Sequence, residues 1–288
     1  MHVRSVLLYR FSRARRRAAL TANRGNEPIR RWAHGLPPLT TYVICTNPRS
    51  GSCLLSDGLA STSIAGIPRE WFNPLVEERL RAQWRINNAS DASYRIYLDR
   101  VQARSTTTNG ISGIKLHYYQ FAELPKKLMG IEDLRGMTPA EMLSKAFSNI
   151  KYLWLTRRDK ARQAISYQLA RLTGEWWTIE GSKRNKREDS LEEADFDPSA
   201  IARIERTLVE NDLKWESYFQ SNNIVPLTIY YEDLVSDYHG SILSILKWLG
   251  VDDAETVAIP PSRLKQQSNA RNEEWLNRYM RFKTEGAI

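Results

Sequence analysis

The stretch Tyr42-Val-Ile-Cys-Thr-Asn-Pro-Arg-Ser-Gly-Ser-Cys-Leu-Leu55 constrains the fold more than any other part of the chain. A short apolar run, Tyr42 to Cys45, is closed by polar turn residues and followed by Leu54, Leu55 and Leu59 at helical spacing. That pattern predicts a buried strand, a tight loop and a helix. The loop, Thr46 to Ser52, is small, polar and cationic, and Gly51 lets the backbone approach a bound group closely. Free N–H groups at the helix start, with the helix dipole behind them, form an anion site. Arg49 adds a forked charge that suits phosphate or sulfate. The loop reads as a phosphate cradle; the alternative is a serine-rich turn without a ligand, a common feature of α/β proteins.

Loops of nucleoside triphosphatases end in Gly-Lys-Ser/Thr, the lysine touching terminal phosphates and the hydroxyl holding magnesium. Aligned on Gly51, this chain has Ser52 in place of the lysine and Cys53 in place of the hydroxyl. A thiol is a poor ligand for a hard ion that wants oxygen. The loop is therefore expected to bind an anion without metal-assisted phosphoryl transfer, and no metal site is expected.

The chain has 288 residues with 42% hydrophobic content, enough for a substantial core. Its two cysteines, Cys45 and Cys53, give neither a disulfide framework nor a zinc site and are compatible with a reducing, cytoplasmic compartment. The net charge of +9 is unevenly placed. Residues 1–40 hold nine arginines and one acid, Glu27, for a net of +8, so 9 − 8 leaves +1 for residues 41–288. The basicity belongs to an N-terminal arm, expected to be disordered, rather than to the domain at 41–288, which argues against a nucleic-acid partner. The arm includes Arg13-Ala-Arg-Arg-Arg17 and suits peripheral membrane contact or organellar targeting.

Beyond the cradle, Ile64 to Pro74 is broken by Gly66, Pro68 and Pro74 and reads as a loop or short edge segment. It places one carboxylate, Glu70, among Ile67, Trp71 and Phe72. Apolar surroundings raise a carboxyl pKa and make a better general base, so Glu70 is either a base with a raised pKa or a surface glutamate beside two aromatic anchors. Two arginine-rich helices follow over 75–108. A strand, Ile111 to Leu116, carries Lys115 near its end, where α/β sheets present binding groups. His117 is a packing residue or a second candidate base. Thr138-Pro-Ala-Glu141 is a capping box opening a helix over about 139–149.

A third strand, Lys151 to Thr156, leads to Arg157 and a helix capped by Asp159, with Ala161, Ala164, Ile165 and Leu169 facing inward. Ser166 is a polar residue in that helix: it either shares a phosphate with Arg157 or bonds its own backbone. Residues 181–193 form a charged run expected to be a surface loop. A helix starts at Asp197-Pro198 with Ile201, Ile204, Leu208 and Trp215 inward. The fourth strand, Val225 to Tyr231, is followed by a helix over about 239–249 that ends at Gly250. Alternating apolar strands and helices imply an α/β fold, one parallel sheet covered by helices on both faces.

Pro48-Arg-Ser-Gly-Ser52, Arg157 with Ser166 nine positions on, Tyr231-Glu-Asp-Leu234 and Gln267-Ser-Asn-Ala-Arg271 together resemble the sulfotransferases that use 3′-phosphoadenosine 5′-phosphosulfate (PAPS). Pro68-Arg-Glu-Trp-Phe72, Gly113-Ile-Lys115, Gln163-Ala-Ile-Ser-Tyr167 and Glu274-Trp-Leu-Asn-Arg-Tyr279 narrow the likeness to the bacterial Stf-zero type, over about residues 41–283. Cys53 departs from the threonine usual in the loop.

The resemblance implies a P-loop-like fold of one domain with helical insertions and PAPS as co-substrate. It implies that Pro48, Arg49, Ser50, Gly51, Ser52 and Cys53 hold the 5′-phosphosulfate, Arg157 and Ser166 hold the 3′-phosphate, and Gln267 and Arg271 close over the nucleotide. Glu70 matches the glutamate proposed as general base in that type, with Arg49 and Lys115 offsetting charge on the leaving oxygen. The partners expected are a small-molecule or glycolipid hydroxyl acceptor, with a second copy of the chain as a candidate. Trp71, Trp176, Trp177 and Tyr118 are candidates for stacking on a sugar. A nucleotide or sugar kinase, or a non-catalytic nucleotide-binding protein, is the competing expectation.

Overall fold

The computed structural model describes residues 38–86, 92–179, 191–265 and 270–286. The expectations for the arm up to residue 37, for the charged run over 181–190 and for Gln267 lie outside the described residues.

Four strands, β1 (Thr40–Thr46), β2 (Ile111–His117), β3 (Ile150–Thr156) and a later strand over Leu227–Tyr230, form one parallel sheet. β1 lies between β2 and β3, and the Leu227–Tyr230 strand pairs with β3 at the edge. Side chains alternate across a strand, so each strand feeds two cores. Tyr42, Ile44, Leu153 and Leu155 face one side, and Val43, Cys45, Ile114, Leu116 and Tyr152 face the other. Strands buried on both faces must be apolar throughout, which is why they stand out in the sequence.

Helix α1 (Ser52–Ser61) follows β1. The two arginine-rich helices are α2 (Pro74–Trp84) and α3 (Ala92–Ser105), and α4 (Tyr118–Leu128) follows β2. The capping box of Thr138 and Glu141 opens α5 (Pro139–Ala146), shorter than expected because Phe147 turns extended and buries its ring. Asp159 caps α6 (Lys160–Thr173) by accepting from Arg162 N at 2.8 Å. After a short strand β4 (Thr178–Ile179), Asp197 caps α7 (Pro198–Ser221). The inward stripes of α6 and α7 meet, as their spacing predicts: Ala164, Ile165 and Leu169 pack with Ile201, Ile204 and Leu208.

The Leu227–Tyr230 strand, β5, is shorter than the sequence reading at both ends. Pro226 has no N–H for a ladder and Val225 is 94% exposed, while Tyr231 already opens the short helix α8 (Tyr231–Ser236). Helix α9 (Tyr238–Leu249) ends at Gly250 as predicted and covers the β1 face holding Ile44. A two-residue strand β6 (Leu264–Lys265) pairs antiparallel with β4, and α10 (Ala270–Thr284) packs Trp275 and Tyr279 against α6 and α7. The architecture is the expected α/β sheet with helices on both faces. Among the described residues no helix is long and apolar enough to cross a membrane.

Candidate active site

β1 delivers its carboxyl end, Thr46, directly into the cradle loop. Ser50 is fully buried and donates to the Asn47 carbonyl at 2.8 Å, so its hydroxyl shapes the loop rather than facing the cleft. Arg49 and Gly51 both have positive φ, 65° and 83°. Gly51 is the N-cap of α1 and offers no side-chain cap to the helix N–H groups. A Cβ there would lie 2.5 Å from Cδ2 of Tyr231, so only glycine fits under that ring. The result is a helix N-terminus opening on a cleft of about 380 Å3, lined by Arg49, Ser52, Cys53, Arg157, Ser166 and Tyr231 among others.

Two guanidinium groups form one wall of the cleft. Arg49 Nε donates to Ser166 Oγ at 2.9 Å, and Arg49 Nη1 donates to the Trp176 carbonyl. Arg157 Nη1 reaches the Arg49 carbonyl at 3.4 Å, and its guanidinium sits 4.5 Å from the centre of the Tyr231 ring. Its Nε has no hydrogen-bond partner, with Glu232 Oε1 at 3.9 Å. Burial lowers the pKa of both arginines, Arg157 adding to the effect at Arg49 while Cys53 opposes it. Two desolvated cations beside a helix N-terminus favour an anion in the cleft. Ser166, expected to share a phosphate with Arg157, is bonded through its hydroxyl to Arg49, which brings all three residues to one wall. Pro48 contributes its carbonyl, which accepts from Gln163 Nε2 at 2.8 Å. Arg271 donates to the Leu191 carbonyl at 3.1 Å and does not line the cleft, whereas Asn272 beside it does.

Glu70 is placed by β2. The segment before it runs along that strand, with Arg69 bridged to Ile114 and Lys115 N donating to the Arg69 carbonyl at 3.0 Å. Gly113 permits the approach, since a Cβ there would meet Pro68 N at 2.9 Å. Glu70 Oε1 then lies 3.1 Å from Lys115 Nζ and 3.3 Å from His117 Nε2. Its Oε2 accepts from Gln120 Nε2 at 2.9 Å and Asn73 Nδ2 at 3.1 Å. Lys115 Nζ continues to Cys53 Sγ at 3.6 Å, linking Glu70 to the loop although neither Glu70 nor Lys115 lines the cleft itself.

This geometry corrects the expectation of a raised Glu70 pKa. Burial does push it upward, but His117 and Lys115, with hydrogen bonds from His117 and Gln120, outweigh burial and hold it well below the usual carboxylate range. Trp71 and Phe72 turn into the core, leaving the carboxylate among nitrogen donors. For Lys115 burial also acts first, downward, and is overcome by the Cys53 sulfur and Glu70, which push its pKa up to about 12.

Several contributors are absent from the sequence reading. Tyr231 shows in the sequence only as part of the Tyr231-Glu-Asp-Leu234 motif, and its ring covers Gly51. Asn73 and Gln120 hold the carboxylate; their one signal was proximity to Glu70 and to the end of β2. Of the four aromatics proposed for sugar stacking, Trp71 and Tyr118 belong to the core and its edge, while Trp176 and Trp177 line the cleft. Among the described residues no group of three or more His, Cys, Asp or Glu side chains could hold a metal ion.

Residues 41–282 match the family described as Stf0 sulphotransferase. The chain is 27% identical over 258 residues to a trehalose 2-sulfotransferase of Mycobacterium tuberculosis, covering 83% of this chain and 93% of the relative. It is 26% identical over 262 residues to a trehalose 2-sulfotransferase of Mycolicibacterium smegmatis, covering 84% and 95%. A solved structure, the sulfotransferase domain from the Synechococcus PCC 7002 olefin synthase, aligns at 16% identity with a TM-score of 0.36, over 85% of this chain and 95% of that one. The family match spans the cradle, the Glu70 segment, Arg157 and most of α10, and on that extent the chain belongs to the Stf0 sulphotransferase family.

Proposed function

We propose that the chain transfers a sulfuryl group from PAPS to a hydroxyl of a carbohydrate or glycolipid. The observation that carries this reading is the convergence of Arg49, Arg157 and the α1 N-terminus on one cleft, tied through Lys115 to Glu70. The residues suit a nucleotide with two anionic groups. Arg49 and the first-turn N–H groups of α1 take the 5′ end, and Arg157 with Ser166 takes the 3′-phosphate. When bound, PAPS supplies an activated sulfuryl group and a phosphate leaving group.

Glu70 accepts the acceptor hydroxyl's proton as its oxygen bonds to sulfur, and the sulfur–oxygen bond to phosphate breaks. Arg49 and Lys115 offset the charge that grows on the departing phosphate oxygen. Metal independence is part of this reading, supported by Ser52 and Cys53 at the positions where a kinase loop has lysine and a hydroxyl. A cytoplasmic site of action accords with the two free cysteines. Trehalose is the first acceptor to test, because two relatives bear its name.

Calorimetry tests the donor assignment. 3′-Phosphoadenosine 5′-phosphate (PAP) is expected to bind at least about tenfold more tightly than AMP, since charge-assisted contacts to the extra phosphate contribute roughly 1.5–3 kcal/mol each. Arg157→Ala should abolish the preference, and equal affinities in the unaltered protein would remove the 3′-phosphate assignment. Mass spectrometry of cell extract incubated with enzyme and PAPS identifies the acceptor as the species that gains a sulfuryl group.

A further inference from the structure

The start of the cradle loop is gripped from behind by residues that do not line the cleft. On α7, Asp212 and Trp215 stand three positions apart and so share a helix face. Trp215 Nε1 donates to the Thr46 carbonyl at 3.2 Å. Asp212 Oδ1 accepts from Asn47 Nδ2 at 2.6 Å, and its Oδ2 accepts from Thr156 Oγ1 at 2.7 Å and from Lys160 Nζ. Lys160 Nζ also reaches Thr156 Oγ1 at 3.0 Å and Gln163 Oε1 at 3.5 Å. Gln163 in turn holds the Pro48 carbonyl. Three consecutive loop residues, Thr46, Asn47 and Pro48, are thus fixed by α6 and α7 just before the positive-φ turn at Arg49.

The Asp212 side chain is only 13% exposed, and Asn47 is buried. A carboxylate so placed is satisfied only with its full set of donors, which makes the arrangement stiff. Lys160 neutralises it, so the carboxylate can anchor an anion-binding loop without repelling the anion. We propose that Asp212 is a positioning residue for nucleotide binding: acting through Asn47, it fixes the loop backbone so that its N–H groups are aimed before the ligand arrives. The inference rests on the reading of the cleft as a 3′-phosphoadenosine site.

The test is PAP affinity by calorimetry, with the melting temperature measured without nucleotide. Asp212→Asn keeps the shape and an oxygen acceptor for Asn47 but removes the charge from that hydrogen bond and leaves Lys160 without its counter-charge. PAP affinity is expected to fall about tenfold, the worth of one charge-assisted hydrogen bond, in a protein that still melts cooperatively. Asn47→Ala should cause a similar loss. The double variant should be no more than about twofold weaker than the weaker single, because the two residues act through one contact.

Additive losses, or unchanged affinity in Asp212→Asn, would overturn the inference while leaving the nucleotide reading intact. Should Asp212→Asn fail to fold, Asn47→Ala decides alone, unchanged affinity again being the contrary result. Failure of the unaltered chain to bind PAP would overturn the nucleotide reading and this inference with it.

Discussion

Glu70 carries two oxygens held by four nitrogen donors, and that environment determines how its role is tested. Its pKa lies below the ordinary value of 4.5, because cationic and hydrogen-bonding neighbours favour the ionised form more than burial penalises it. The sign follows from linkage. A depressed folded-state pKa contributes stability that is complete above the unfolded value and lost as pH falls through the folded one. The melting-temperature gap between wild type and Glu70→Gln should therefore be constant at neutral pH and shrink below about pH 4.5.

In the rate profile the acidic limb due to Glu70 belongs below that same pH, lower than a raised carboxyl would place it. Glu70→Gln should keep PAP affinity and lose roughly 10²–10⁴-fold in turnover, the usual worth of a positioned base. A modest loss would transfer the role to His117, 3.3 Å away. The carboxylate is legible in the sequence, but its pKa direction is not. Trp71 and Phe72 adjoin it in the chain, whereas Lys115, His117 and Gln120 come from about fifty positions on and meet it only through the β2 contact.

Elements were legible where a pattern was long enough to repeat. The sheet strands showed as apolar runs, and the caps at Thr138, Asp159 and Asp197 marked helix starts correctly. β4 and β6, two residues each, carry no such period, so the ribbon beside the cleft was invisible. The seating of residues 66–70 on β2 was equally hidden, because it depends on a missing side chain. Gly113→Ala should test that seating. Its Cβ would meet Tyr42 Oη at 2.8 Å and Pro68 N at 2.9 Å, and backbone cannot yield as a flexible side chain can. A loss of about 1–3 kcal/mol in stability is expected from the overpacking. Turnover should fall as Glu70 shifts, with PAP affinity within about twofold of wild type; unchanged turnover would show that the seating does not govern the site.

Charge is distributed over the whole molecule with one sharp asymmetry, +8 in residues 1–40 against +1 in the remainder. None of the site residues falls in the first segment. Removing residues 1–37 should leave turnover within about twofold, measured on a chain shown to fold by its melting profile. A large loss in a folded truncation would assign the arm a part in catalysis. The central claim, sulfuryl transfer to a carbohydrate hydroxyl, is tested most directly by incubating the purified protein with sulfur-labelled PAPS, trehalose and EDTA. The expected result is label in a trehalose sulfate and equimolar release of PAP, abolished by Arg49→Ala. Label that stays on PAPS, with trehalose and with every other carbohydrate supplied, would contradict the account.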